Sequence, residues 1–406
     1  MPRNVLALSL VSLLNDASSE TVYPLLPFFL SATLGASPFI IGLIEGATES
    51  ASSLLKLASG YFSDKFAKHK LAVFIGYGLS TVMRPFLGFA SNWSHVLGLR
   101  LVDRLGKGIR SAPRDALIAD SIAPEKRGLA FGFHRAMDNA GAVLGPLLAY
   151  VLISYFASDR QNPTSDEYTQ VFIAASFPAL VALFLISFFV RDKNNKLKVR
   201  GSRFKVQNQD VEIKPKIEIP DTKIVFDVNF KKFLGVLVLF TLANSADVFL
   251  LLRAHDVGIT QATIPLLWAY FNAVKVISSL IGGDLSDRIG RKPLIFAGWI
   301  LYSLVYAGFA FVTTVSEIWV LFGIYGVYFG LTEGVEKALV ADLTPKEHRG
   351  TAFGWYHLAF GIAVFPASII TGALWKFYGA ETALLTGSVI SLIAALLLLT
   401  VKTRQN

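Results

Sequence analysis

Long apolar runs separated by short polar breaks set the pattern of this chain, in place of the strict alternation of a half-buried strand. Val171–Val190, Leu294–Val315 and Leu384–Val401 contain no charged residue. Each is about as long as a helix needs to cross a hydrocarbon core of about 30 Å. Runs of this kind predict helices over residues 4–33, 38–63, 70–90, 95–120, 127–156, 168–190, 230–252, 258–284, 292–313, 316–341, 350–377 and 380–402. They fall six and six about one polar stretch. The expected organisation is an all-α membrane protein with a six-helix bundle over 1–191, a linker loop over 192–229 and a second bundle over 230–406.

Composition agrees with a membrane protein. Of 406 residues, 53% are hydrophobic and 17% charged, where soluble domains carry about a quarter charged residues. The opening stretch MPRNVLALSLVSLLND has a basic start and an apolar run. No small-residue cleavage site follows, and Asn15 and Asp16 interrupt the run, so it reads as the first span and not as a signal peptide. The absence of cysteine excludes disulfides, thiolate metal sites and iron–sulfur clusters. No nucleophile-elbow, metalloprotease or phosphate-loop spacing occurs, so neither an enzyme nor a cofactor is expected.

The net charge of +9 does not point to nucleic acid, because its distribution has a simpler cause. Arg191–Lys232 holds twelve Lys/Arg against six Asp/Glu, and the short loops on the opposite face of the first half hold one basic residue, Arg160. Basic loops gather on the cytoplasmic side. Both termini are therefore expected in the cytoplasm of a prokaryote, with the protein in its inner membrane. The linker is expected to carry no folded domain and to meet anionic lipid headgroups.

One predicted span breaks the apolar rule. LRLVDRLGKGIRSAPRDALIAD (Leu99–Asp120) carries Arg100, Asp103, Arg104, Lys107, Arg110 and Arg114 within an arc of roughly 120° on a helix. Facing lipid, such a stripe would cost several kcal/mol per ion. It must face water or countercharges, so the span is expected to border a polar cavity. Further charges fall at Asp16 and Glu20, at Glu45, Glu49 and Lys56, at His134, Arg135 and Asp138, and at Asp247, Lys275, Glu333, Glu336, Lys337 and His357. The predicted third span has Arg84 as the one charge in its interior.

The two halves also repeat each other. GYFSDKFAKHK (Gly60–Lys70) matches GDLSDRIGRKP (Gly283–Pro293), APRDALIAD (Ala112–Asp120) matches GVEKALVAD (Gly334–Asp342), and EKRGLAFGF (Glu125–Phe133) matches EHRGTAFGW (Glu347–Trp355), all at nearly one offset. Parallel repeats of this kind are a transporter architecture. On these motifs the chain resembles the major facilitator superfamily over its whole length. Gly283, Asp287, Arg288, Gly290, Arg291 and Lys292 match the family's G-x-x-x-D-R-x-G-R-K loop in full. The first copy, with Gly60, Asp64, Lys65, Ala67, Lys68 and His69, is degraded.

The resemblance implies two pseudo-symmetric bundles around a central cavity, lined by the first, fourth, seventh and tenth spans. It implies gating latches Lys68–Asp120 and Arg291–Asp342, with Asp64 and Asp287 near helix N-termini and Arg127, Arg288 and Arg349 in the same gating set. Arg104 with Gly108 matches the family's fourth-span R-x-x-x-G. In the fifth span Gly132, Gly141, Gly145 and Pro146 follow the pattern that marks proton-driven antiporters, with Ala149 for the last glycine.

The function so implied is alternating-access transport, coupled to protons through Asp16, Glu20 or Asp138, with export favoured. Arg100, Asp103, Arg104, Lys107, Arg110, Asn15, Asp247, Glu333 and Glu336 are the candidate substrate-binding residues. Their excess of bases in the first half suggests an anionic or zwitterionic organic solute, since arginine forks suit carboxylate or phosphate. A divalent cation held by Asn15, Asp16, Glu20, His134, Asp138 and Asp247 is one alternative, and a receptor that moves nothing is another. The expected partners are a small solute or ion, protons and lipid, with the chain a monomer.

Overall fold

The computed structural model describes residues 1–65, 69–123, 126–191, 227–345 and 349–402. The linker prediction, and the side chains of Lys56, Asp64, Lys68 and Arg349, lie outside the described residues. What is described is helical almost throughout. The first half runs through α1 (Arg3–Val22), α2 (Pro38–Lys65), α3 (His69–Phe89), α4 (Trp93–Asp120), α5 (Arg127–Phe156) and α6 (Ser165–Phe189). The second runs through α7 (Val228–Asp256), α8 (Ile264–Ile289), α9 (Arg291–Phe311), α10 (Val315–Asp342) and a continuous run, Arg349–Leu398. That run bends at Gly379, whose φ of 88° and ψ of 167° are not helical; α11 and α12 denote the parts before and after it.

Among the described residues, eight stretches are long and apolar enough to cross a bilayer by composition. Helices α1, α2 and α4 are not among them. The physical reason is visible in α4, where the charged stripe interrupts the apolar residues along most of the helix. The outward surface is apolar where no charge intrudes: Phe177, Phe184, Phe188, Leu280 and Phe377 are all exposed, as lipid-facing side chains are.

Helix ends are set by local chemistry. Asn92 accepts from the His95 amide at 3.1 Å to start α4, and Thr314 with Glu317 forms a capping box to start α10. These two caps stand at the offset of the sequence repeat. At the other end of the second half, Gly290 takes φ 91° to turn α8 into α9. Lys292 then donates to the Leu399 and Val401 carbonyls at 2.8 and 2.7 Å, closing the C-terminus of α12.

Each half is a bundle, and the two meet along α2 with α11 and α5 with α8. The first seam is close: a Cβ on Gly42 would collide with the Ser368 carbonyl. The ends of the molecule differ. At the end away from the chain termini, Phe28 packs edge-on against His255 at 5.1 Å, the Tyr168 hydroxyl donates to Gln261, and the Ala262 amide donates to the Arg160 carbonyl at 3.2 Å. This distal end is shut.

Candidate functional site

Between the bundles lies a cavity of about 350 Å³. Five lining residues come from the first half (Tyr23, Glu45, Glu49, Ser53 and Arg104) and the rest from the second. Toward the termini, Lys275 and Lys337 of its wall and their neighbour Arg135 are 31%, 40% and 63% exposed. Above it, Glu20 accepts the Trp268 indole N–H at 2.9 Å and Tyr23 packs on the Trp268 ring at 5.2 Å. The cavity is therefore sealed distally and wet on the terminal side.

A break in α7 shapes one wall. Residues Asn244–Ala246 are not helical, which frees backbone carbonyls at membrane depth. Tyrosines on α9 and α10 satisfy the groups exposed there: the Tyr302 hydroxyl donates to Ala243 O at 3.1 Å, and the Tyr325 hydroxyl donates to Asp247 Oδ1 at 2.6 Å. Asp247 thus reaches the cavity because its helix is interrupted beside it. On α10, Glu336 accepts the Trp299 indole N–H at 2.9 Å and the Tyr356 hydroxyl at 3.1 Å. Glu333, one turn before, draws Lys275 at 3.2 Å, Arg135 at 3.4 Å and Lys337 at 3.6 Å.

The charged stripe of α4 is divided among three environments. Arg104 lines the cavity. Arg100 reaches sideways to α2, where its Nη2 donates to both oxygens of Glu45, at 2.9 and 3.0 Å, a charge-assisted contact. Arg110 turns to α3, where it donates to Ser80 Oγ at 2.7 Å and lies 4.3 Å over the Tyr77 ring. Asp103 pairs with Arg84 at 3.8 Å, and Arg84 also donates to Asn15 Oδ1 at 2.8 Å. The expectation that Arg100, Asp103, Lys107, Arg110 and Asn15 all line the cavity is therefore corrected. An arc of roughly 120° on a helix is wide enough to face two neighbouring helices as well as an opening.

The expected base-rich wall is corrected too. The first half brings Arg104 to the wall against Glu45 and Glu49, and the second half brings Lys275 and Lys337 against Asp247, Glu333 and Glu336. Counting the bases of α4 alone overstates them, because most of that helix's cations are turned inward.

Asp16, Glu20 and Asp138 do not line this cavity. Asp16 lies within the first bundle, where Asp138, Lys107, Arg110 and Arg114 are the charges acting on it. His134 Nε2 stands 3.7 Å from Asp138 Oδ1. Glu20 is committed to Trp268 and Asp247 to Tyr325. Among the described residues no three of the candidate metal ligands come together, so the divalent-cation set of Asp16, Glu20, His134, Asp138 and Asp247 is not assembled. Asp247 sits on the second bundle, and Glu20 and Asp247 are each taken by a different aromatic donor.

At the terminal end, Arg291 Nη1 pairs with Asp342, and Nη2 stands 3.6 Å from Asp287. Asp287 occupies the last turn of α8, a helix C-terminus, and not the N-terminus expected for it. Arg291 supplies the countercharge that its own helix dipole does not. Arg288 pairs with Asp284 at 2.8 Å on the surface. Asp120 closes α4 at the matching place, and its predicted partner Lys68 lies outside the described residues. Arg127 is exposed at the start of α5.

The glycines of α5 have a packing role. A Cβ on Gly141 would stand 2.6 Å from Leu13 O, and one on Gly145 would stand 2.5 Å from Ala17 O. They let α5 approach α1 closely, and Thr21 donates to Gly145 O at 2.9 Å across the seam. Pro146 follows within the same helix, whereas Gly132 has open space around it.

Sequence reasoning did not assign the aromatic part of this site. Trp299 stacks on Phe240 at 4.2 Å and Tyr302 on Tyr306 at 4.2 Å. Tyr302 and Tyr306 at i, i+4, with Tyr325 and Tyr328 at i, i+3, were a readable signal of aromatic faces on helices. Arg84 was another: a lone charge in an apolar span requires a buried partner.

With this geometry in hand, comparisons with known proteins converge. The sequence profile described as Major Facilitator Superfamily matches residues 8–253 and 232–406. An uncharacterised MFS-type transporter of Methanocaldococcus jannaschii is 34% identical, over 98% of this chain and 95% of its own length. The fosmidomycin resistance protein of Escherichia coli K12 is 28% identical, over 71% of this chain and 66% of its own. Among solved structures, a bacterial homologue of the human lysosomal transporter Spinster, in an inward-facing and occupied conformation, superposes with a TM-score of 0.77. It is 15% identical, with 98% and 96% of the two chains covered.

Proposed function

Because the chain belongs to the major facilitator superfamily, we propose that it is a proton-coupled secondary transporter that exports a small organic solute by alternating access. One observation carries this reading: a cavity walled by both bundles, sealed at the distal end and wet at the other. Rocking one bundle against the other about the α2–α11 and α5–α8 seams would exchange the sealed end. The similarity to a resistance protein supports export, and the glycine seam between α1 and α5 is consistent with the antiporter pattern. Asp16, Glu20 and Asp138 remain the proposed proton carriers, although none of them lines the cavity. The protein works as a monomer in the cytoplasmic membrane with both termini inside, and the distal end then faces out.

The absence of native cysteine permits a direct test. Ser53→Cys probes the cavity and Ala262→Cys probes the sealed end, where Ala262 is 1% exposed. In proteoliposomes, an imposed proton gradient should make Ala262→Cys accessible to an impermeant maleimide from the distal side and protect Ser53→Cys. Labelling that stays on one side under every gradient refutes alternating access.

A further inference from the structure

The charges of the cavity are sorted into two poles. Asp247 and Glu336 are held by neutral donors: the Tyr325 hydroxyl for the first, the Trp299 indole and the Tyr356 hydroxyl for the second. Among the described residues neither is in an ion pair. Glu333 is the opposite case. Lys275, Arg135 and Lys337 all converge on its one carboxylate, within 3.2, 3.4 and 3.6 Å. Three cations thus gather on one acid, with Lys275 also facing Asp247 and Lys337 also facing Glu336. The first bundle's contribution is balanced by comparison, since Arg100 neutralises Glu45 and Glu49 is the leading charge acting on Arg104.

Aromatic surface shares the same wall. Phe240, Tyr328, Phe329, Tyr356 and Phe360 all line the cavity. The Lys275 ammonium already lies 4.5 Å from the centroid of Phe329 while pairing with Glu333. This is an internal example of a cation seated between a ring face and a carboxylate, an arrangement favoured electrostatically. The volume of about 350 Å³ suits a small molecule.

We propose that the substrate is amphoteric: an organic amine–acid whose ammonium binds at Asp247 and Glu336, whose anionic group binds at Lys275 and Lys337, and whose apolar body lies on the aromatic wall. The inference deepens the transporter reading and rests on it. A ligand with one charge would leave the opposite pole partly desolvated and unmatched, which is a cost. A ligand with both charges satisfies two poles at once. Specificity thus comes from the second bundle, and Asp247 and Lys275 are its determinants.

Three probes with one phenylethyl skeleton test this: phenylalanine, phenethylamine and 3-phenylpropionate. Their binding to the purified full-length protein is measured by calorimetry. Phenylalanine should bind at least tenfold more tightly than either singly charged analogue. Asp247→Asn should lower phenylalanine affinity about tenfold and change 3-phenylpropionate affinity less than threefold. Lys275→Met should do the same for phenylalanine relative to phenethylamine. If a variant does not fold, the wild-type ranking of the three probes decides alone. A singly charged analogue that binds as tightly as phenylalanine overturns the proposal, as does binding of none of the three. In either case, retained sidedness changes at Ala262→Cys leave the transporter reading standing. Loss of those changes removes that reading, whatever the ranking.

Discussion

The two bundles share a repeat and a helical plan, yet they hold their helices together by different means. The first buries ions: Arg84, Arg100 and Arg110 are each below 10% exposure and bond to Asn15, Glu45 and Ser80 on other helices. The second buries rings: Trp299, Tyr302, Tyr306 and Tyr325 are below 2% exposure, and their hydroxyl and indole groups hold Asp247, Glu336 and the broken backbone of α7. In lipid there is little hydrophobic force between helices, so close packing and polar bonds must supply it. The comparison teaches that one architecture accepts either solution. It also shows a cost specific to each. An ion network fails when one charge is removed, whereas an aromatic cluster yields by degrees.

The largest effect should therefore come from the first bundle. Arg84→Met leaves Asp103, half-buried at 15% exposure, without the cation paired with it and Asn15 without its donor. Removing one partner of a buried pair costs about 3–5 kcal/mol, so thermal unfolding in detergent should shift strongly downward. Arg84→Lys should recover part of the loss, since the charge returns without the fork that reaches Asn15. An unfolding temperature within a degree or two of the wild type for Arg84→Met would mean that this network is not what holds α1, α3 and α4 together.

Packing within the first bundle comes next. Gly145→Ala places a Cβ 2.5 Å from Ala17 O, and overpacking of this kind costs about 1–3 kcal/mol. Gly132→Ala, with open space around it, should be neutral by the same unfolding measurement. Equal effects at the two positions would remove the packing account of the glycine pattern.

The second bundle should respond more gently. Trp299→Phe keeps a ring against Phe240 and removes one of two donors to Glu336. Loss of a single hydrogen bond to a charged group costs about 1.5–3 kcal/mol, and the remaining Tyr356 bond places this variant at the lower edge. A loss as large as that of Arg84→Met would erase the contrast between the bundles.

The same contrast explains what was legible beforehand. Apolar runs, the repeat and the intramembrane charges are written in residue types and spacings, so the two bundles and the polar interior of the first could be read directly. The direction each charge takes could not. Arg100, Arg104 and Arg110 lie on one stripe, yet they point to α2, to the cavity and to α3 in turn. That choice is made by neighbours distant in sequence. The aromatic wall was missed for a related reason: Phe, Tyr and Trp are common in any lipid-exposed helix, and only the fold tells a cavity-lining ring from an outward one. Asp247 was found as a charge, but its break in α7 has no proline to announce it.

The smallest effect on stability should fall where the two bundles carry the same motif. Arg291 and Asp342 are 33% and 43% exposed, and an ion pair that wet contributes about 0–1 kcal/mol. Asp342→Asn should therefore leave the unfolding temperature almost unchanged. Its effect should be on state preference. The pair joins the start of α9 to the end of α10 beside the terminal-side opening. A pair that is stronger in one state than in the other stabilises the state in which it is stronger, so its loss shifts the balance between states by about its own small free energy. With a state equilibrium near unity, about 0.8 kcal/mol changes the population ratio roughly fourfold. Maleimide labelling of Ser53→Cys and of Ala262→Cys should then change by a few-fold in opposite directions in the Asp342→Asn background. Asp342→Asn that destabilises the fold by several kcal/mol, with labelling unchanged, would make the pair a structural staple and leave the motif without a gating role in this bundle.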